Sequence, residues 1–153
     1  MNPVVRRATA ADAPVIEWLY RELVADPSIH VLPDQVAAMH ASSSTLLFVV
    51  EVGGEVAGTA LLTICADVMY GTQPFGVVEN VIVSAKLRGA GIGRLLMEHL
   101  EQEALARDCS KLMLLSSAAR QEAHAFFRRQ GFSSDTKLGF VKYRRQFAQP
   151  AGS

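Results

Sequence analysis

The spacing of apolar residues changes near residue 92, and this change limits the folds that the chain can adopt. Before it, three strand-length apolar runs are separated by turn residues, at 46–50, 56–64 and 75–84. After it, apolar residues recur at the spacing of one helical face, and a short apolar run follows at 112–115. Antiparallel strands followed by a strand-helix-strand crossover predict an α/β (α+β) fold.

Helix and turn signals complete the expected order of elements. Thr9 and Asp12 have the spacing of a capping box and predict a helix, which Asp26 and Pro27 end. Paired glycines at 53 and 54 predict a hairpin turn between the first two apolar runs. The remaining expected elements are a strand at 4–5, a short helix at 34–40, a helix at about 119–127 stopped by Gly131, and a final strand at 140–147.

Length and charge balance limit the number of domains and the kinds of partner to expect. With 153 residues, 50% of them hydrophobic, the chain predicts a single domain at 1–147 and a loose tail at 148–153. Its 15 basic residues balance 15 acidic ones, so we expect no nucleic-acid partner and no membrane partner. Cys65 and Cys109 match no disulfide or zinc pattern, and no signal peptide or membrane span is indicated. A cytoplasmic location is therefore expected.

A glycine-rich segment at 88–94 carries the clearest chemical signal. It contains three glycines between Arg88 and Arg94, after an apolar strand and before an amphipathic helix. Converging backbone N–H groups and a helix N-terminus make such a segment an anion cradle, which favours a phosphate ligand. A P-loop is excluded because no Gly-Lys-Ser/Thr follows the glycines. A dinucleotide-binding motif is excluded because Leu96 stands where its third glycine would be. A turn that only joins strand to helix is the alternative.

These residues resemble the signature of the GNAT N-acetyltransferase superfamily, which is Arg or Gln, two residues, Gly, one residue, then Gly or Ala. Arg88, Gly91 and Gly93 fit that signature. The flanking stretches 79–83 and 126–132 also resemble family motifs, so the resemblance covers about residues 75–133. From Glu79 to Gly93 the chain is similar to the glucosamine-phosphate acetyltransferase branch.

The resemblance implies a mixed, mostly antiparallel central sheet flanked by helices, whose fourth and fifth strands splay apart. It implies acetyl-CoA as cosubstrate, with the pantetheine arm between those strands and in contact with the backbone of Val81, Ile82 and Val83. The CoA pyrophosphate would be held by the glycine-rich segment, namely Arg88, Gly89, Ala90, Gly91, Ile92, Gly93 and Arg94. A homodimer is also common among proteins of this kind.

Glu79 is the candidate general base. A lysine-like amine has a pKa about 3.4 units above neutral pH. Without a general base, deprotonating this amine costs roughly 4.6 kcal/mol. We expect the valines at 77, 78 and 81 to desolvate the Glu79 carboxylate and so favour its protonation. The resemblance places a catalytic glutamate at the same position, and a distorted strand near Val81 could offer an N–H group to the oxyanion. We interpret Asn80 as structural.

The usual general acid of the family is missing. Many relatives carry a tyrosine four residues before the glycine at 131, where this chain has Phe127. Three residues are the alternatives for protonating the departing thiolate: Tyr143, which we take as the catalytic candidate, Tyr70 and His124. A thiol has a pKa of about 8.5, so its thiolate is a tolerable leaving group. Activity is therefore expected even without a general acid.

The sequence thus predicts transfer of an acetyl group from acetyl-CoA to a primary amine of a small molecule, with no metal ligand set. Residues 27–40 and 66–75 are the expected walls of the acceptor pocket, where His30 and His40 either contact substrate or face solvent. Cys65 is interpreted as a core residue rather than an acyl-carrying nucleophile. The alternative function is a non-catalytic acyl-CoA-binding module. Balanced charge argues against a strongly polycationic acceptor unless the pocket is locally acidic.

Overall fold

The computed structural model describes residues 2–151 and divides into two compact units, Met1–Leu114 (unit 1) and Leu115–Ser153 (unit 2). Unit 1 contains β1 (Val4–Arg7), α1 (Ala13–Leu23), α2 (Pro33–Ala41), β2 (Thr45–Val52), β3 (Glu55–Cys65), β4 (Phe75–Val83), α3 (Ile92–Ala106) and β5 (Leu112–Leu114). Unit 2 contains α4 (Gln121–Arg129). The expected single domain at 1–147 and tail at 148–153 stay predictions.

The sheet of unit 1 has the strand order β1-β2-β3-β4-β5. The first four strands pair antiparallel with their sequence neighbours, as short hairpin connections allow. β4 and β5 pair in parallel and are joined by the crossover helix α3. The mixed, mostly antiparallel sheet flanked by helices is therefore confirmed.

Helices cover both faces of this sheet. Leu47 and Val49 of β2 pack with Ile16 of α1 in a cluster that also includes α2. Val50, which points to the opposite face because side chains alternate along a strand, packs with Ile92 at the start of α3. The centre of β2 is consequently buried on both sides, which explains its continuous run of apolar residues.

Glycines mark the turns where the sequence predicts them. Gly53 and Gly54 have φ angles of 60° and 81°, the left-handed conformations that a two-residue hairpin turn requires at both positions. Gly131 follows α4 with φ 94° and ends that helix. Asp12 accepts a hydrogen bond from the Thr9 N–H at 2.8 Å, which confirms one half of the predicted capping box.

The predicted final strand at 140–147 is wrong. The segment forms a single 3₁₀ turn, Arg144–Gln146, whose N–H groups at Gln146 and Phe147 bond to carbonyls three residues earlier. Phe140 is 88% exposed, so its side chain meets no second layer. A strand needs a partner that accepts its hydrogen bonds, and within the part of the chain that the structure describes this segment makes only local ones.

Among residues 2–151, no helix combines the length and the apolar composition that crossing a membrane needs.

Candidate active site

β4 is distorted by a bulge at its centre. Its register with β3 runs regularly to the pair Leu61 and Glu79 and resumes at the pair Thr59 and Ile82, so two residues of β4 face one residue of β3. Asn80 occupies this bulge with φ 56°, a left-handed conformation that asparagine tolerates better than other residues with a side chain. The distorted strand expected near Val81 is confirmed.

Beyond the bulge, β4 has an open edge. Its register with β5 covers only Gly76–Val78, after which no further residues of the two strands pair. The Ser84 N–H donates to β3 at Ala57 O, so by alternation the N–H groups of Val81 and Val83 point away from β3. These two N–H groups have no acceptor among residues 2–151. The strands therefore part where the family resemblance implies a splay, next to the pantetheine contacts that it also implies.

The glycine-rich segment follows directly and forms the N-terminus of α3. Gly89 and Gly91 have φ angles of 85° and 79°, and Gly91 precedes the first helical residue, Ile92. Within the described part of the chain, the N–H groups of residues 92–94, in the first turn of α3, have no acceptor. Consecutive free N–H groups at a helix N-terminus are the donors that the predicted phosphate cradle needs.

Two arginines flank this cradle. Arg88 donates from Nε to Val83 O at 3.0 Å, which ties its side chain to the end of β4. Arg94 donates from Nε to Glu98 Oε1 at 2.7 Å, one helical turn away. Their terminal guanidinium nitrogens have no protein acceptor among residues 2–151, so both can bind a phosphate.

Glu79 lies on β4 immediately before the bulge, and its side chain is exposed. The expected desolvation by neighbouring valines is therefore wrong. Residues adjacent in a strand point to opposite faces, so Val78 does not enclose the Glu79 carboxylate although it is itself fully buried. An exposed carboxylate is directly accessible to an amine that enters from solvent.

Two residues of α1 reach this part of β4, and the sequence did not indicate either. The Tyr20 hydroxyl, whose pKa is raised by burial, interacts with the Asn80 side chain. Glu22 Oε2 accepts a hydrogen bond from the Ala85 N–H at 3.3 Å, just beyond the end of β4. Because about 60 residues separate each pair along the chain, no spacing rule finds these contacts.

The three candidate acids occupy different settings. Tyr143 is 56% exposed in unit 2, where the Arg145 guanidinium lies 4.8 Å from its ring centroid. Tyr70 is 67% exposed in unit 1, in the segment that leads into β4. His124 bonds through Nε2 to Ser117 O at 2.8 Å. Phe127, at the position of the missing tyrosine, is 8% exposed and packs on the ring of Phe132.

The other polar candidates have structural roles or face solvent. His30 is 72% exposed and lies 3.5 Å from Glu17. His40 is exposed, and its Nδ1 lies 2.9 Å from Ala8 O. Cys65 and Cys109 are free and partly buried. No group of His, Cys, Asp and Glu residues within 2–151 is arranged to hold a metal ion.

Comparison with known proteins agrees with this geometry. The chain is 26% identical over 143 residues to an aminoglycoside N(6')-acetyltransferase type 1 of Stenotrophomonas maltophilia, covering 92% of each chain. It is 31% identical over 102 residues to a glucosamine 6-phosphate N-acetyltransferase of Trypanosoma brucei brucei, covering 67% of this chain and 62% of that one.

A solved structure from Agrobacterium tumefaciens str. C58, named as an acetyltransferase, superposes with a TM-score of 0.81 and 30% identity, covering 92% of this chain and 99% of the other. Residues 13–132 match the family described as the acetyltransferase (GNAT) family. The chain therefore belongs to the acetyltransferase (GNAT) family.

Proposed function

We propose that this protein transfers an acetyl group from acetyl-CoA to a primary amine of a small molecule by direct attack. The observation that carries the proposal is the bulge of β4, which places Glu79, an open strand edge and a phosphate cradle in consecutive positions. Two relatives are named as small-molecule N-acetyltransferases, and their acceptors differ in charge, an aminoglycoside in one and a sugar phosphate in the other.

The donor lies along β4 and enters the cradle. The amides of the pantetheine arm bond to the backbone of Val81 and Val83, whose N–H groups point to the open edge. The pyrophosphate accepts hydrogen bonds from the N–H groups of residues 89–94, with Arg88 and Arg94 supplying positive charge. This arrangement holds the thioester next to the bulge.

The chemical step needs a base and a stabilised oxyanion. Glu79 accepts the proton of the attacking amine as the new C–N bond forms at the thioester carbon. The oxygen of the tetrahedral intermediate accepts a hydrogen bond from the Val81 N–H, and collapse expels the CoA thiolate. Tyr143 is the proposed proton donor to that thiolate, and CoA leaves as the free thiol.

The first test is to measure CoA release with a panel of primary amines for the unmodified protein and for Glu79→Gln. We expect Glu79→Gln to lower kcat by about 10²–10⁴-fold while CoA binding, measured by calorimetry, is retained. Glu55→Gln is the matched control, because Glu55 is an exposed carboxylate in the β2–β3 hairpin. Its activity should equal that of the unmodified protein.

Tyr143→Phe belongs in the same assay and should lower kcat by less than Glu79→Gln, because a thiolate is a tolerable leaving group. Unchanged kcat in Tyr143→Phe would reject Tyr143 as the acid and direct the same test to Tyr70 and His124. CoA binding without release for any amine would favour the non-catalytic acyl-CoA-binding module. Absence of CoA binding would contradict the assignment of residues 88–94.

A further inference from the structure

Residues 137–143 of unit 2, which we call the C-terminal arm, expose apolar side chains. The arm follows α4 and contains no helix, turn or bend. Leu138 and Phe140 are 79% and 88% exposed, and Val141 and Tyr143 are more than half exposed. Apart from that of Tyr143, no backbone N–H group of the arm has an acceptor within the described chain. The arm therefore offers both side chains and backbone groups to a partner.

Apolar side chains lie on both faces of the arm. Successive side chains of an extended segment alternate, so Leu138 and Phe140 belong to one face, and Val141 and Tyr143 belong to the other. A segment that rests on a lipid surface needs only one apolar face. A strand that is apolar on both faces is typical of a sheet that is covered on both sides. The pattern thus favours docking of the arm within a protein.

The sheet of unit 1 ends at β5 with an open edge. Within residues 2–151, no strand pairs with β5 on the side away from β4. The Gly76 N–H donates to Lys111 O, so by alternation Leu112 and Leu114 direct their backbone groups away from β4. An open edge of apolar residues is a pairing site for an extended segment of another chain.

Charge indicates which molecule supplies the partner edge. Unit 1 contains 13 acidic and 8 basic side chains, a net charge of −5, and unit 2 contains 2 acidic and 7 basic ones, a net charge of +5. When two copies associate, the basic unit 2 of one can meet the acidic unit 1 of the other. A membrane or a nucleic acid would instead meet a chain whose total charge is balanced.

We propose that two copies of this chain form a dimer in which the arm of each copy pairs with the open β5 edge of the other. The arm pairs with no strand within the described chain, and β5 lacks a strand on one side, so each copy supplies what the other needs. A reciprocal exchange of this kind has two-fold symmetry and closes at two copies. The inference goes beyond the proposed function and does not depend on it.

Sedimentation velocity of the full chain over a concentration series tests the proposal, with a reductant present to exclude disulfide crosslinks. We expect a species of twice the 16.6 kDa chain mass. Phe140→Ser should weaken self-association at least about tenfold, because a large side chain is no longer buried at the interface. Its circular dichroism should be unchanged, since Phe140 is exposed within the single chain.

Leu105→Ser is the matched control for this variant. Leu105 is 79% exposed on α3, so the substitution also removes an exposed apolar side chain, but outside the arm and outside β5. Its self-association should equal that of the unmodified protein. Added salt should weaken the unmodified dimer, because charge contributes to the contact.

Hydrogen exchange then locates the interface. As the protein concentration rises through the dimer Kd, exchange should slow at the arm and at Leu112–Leu114 together, and Phe140→Ser should require a higher concentration for the same protection. Slowed exchange at both segments in the full-length dimer would support the reciprocal pairing.

A chain that stays monomeric at every concentration would overturn the inference. A dimer in which the arm exchanges as fast as in the monomer would overturn it as well, because another face would then hold the copies together. Phe140-dependent binding of a monomer to vesicles that contain phosphatidylserine would assign the arm to a lipid surface instead. None of these outcomes uses CoA release, so the proposed transferase activity is tested separately.

Discussion

At the scale of single residues, the bulge depends on Asn80. A side chain at φ 56° costs about 1–2 kcal/mol for most residues, which asparagine partly avoids and glycine avoids entirely. We expect Asn80→Ala to lower the free energy of unfolding by about 1 kcal/mol and to reduce kcat, because a relaxed strand moves the Val81 N–H away from the oxyanion. Urea unfolding and steady-state kinetics measure both effects.

Asn80→Gly separates the backbone from the side chain. It keeps the left-handed conformation and removes only the interaction with Tyr20, so kcat should stay closer to that of the unmodified protein than in Asn80→Ala. Tyr20→Phe should behave like Asn80→Gly. Equal kcat in Asn80→Ala and the unmodified protein would show that the φ angle of residue 80 does not position the site.

At the scale of elements, we expect the turn before α3 to govern CoA binding. Gly91 has φ 79°, and a Cβ there would meet no atom within 4 Å, so Gly91→Ala changes backbone preference without a clash. The unliganded segment should leave the left-handed conformation, and CoA must then restore it at a cost of about 1–2 kcal/mol. We expect the Kd for CoA to rise about 5- to 30-fold by calorimetry.

Gly54→Ala is a closely matched control. Gly54 has φ 81° in the β2–β3 hairpin and also has open space around its Cβ position, so the local conformational cost is similar. It should lower stability without changing the Kd for CoA. An unchanged Kd in Gly91→Ala would indicate that the cradle does not require this conformation.

At the scale of the whole molecule, stability in acid depends on the ion pairs that join β1 to its neighbours. The Arg6 guanidinium holds the pKa of Asp12 below its usual value, and Arg6 also binds Glu51 of β2. A carboxyl group with a lowered folded-state pKa stabilises the fold above its unfolded pKa of about 3.9, and this contribution is lost as the pH falls through the folded value.

Asp12→Asn should therefore lower the free energy of unfolding by about 1.5–3 kcal/mol at pH 7, and the deficit should shrink below about pH 4. Urea unfolding at a series of pH values measures both quantities. Glu98→Gln is the comparison, because it breaks an exposed pair with Arg94 that is worth about 0–1 kcal/mol. A deficit for Asp12→Asn that persists undiminished in acid would contradict the role of its charge.

Local signals in the sequence determined most of the elements. Apolar spacing predicted β2 and α3, paired glycines predicted the hairpin, and the glycine-rich segment predicted the turn at the start of α3. These features depend on residues close together in the chain, so periodicity and turn chemistry are sufficient to predict them. The family resemblance, which covers about residues 75–133, predicted that β4 and β5 part.

Tertiary structure decided what depends on residues distant in sequence. Residues 140–147 have a strand-like composition, but a strand also needs a hydrogen-bonding partner, which one segment cannot supply. The valines around Glu79 suggested desolvation, yet that carboxylate is exposed, and the buried Val78 points to the opposite face of β4. The contacts of Tyr20 with Asn80 and of Glu22 with the Ala85 N–H arise only when α1 packs on β4. Charge and burial are properties of neighbours in space, which chain order alone does not specify.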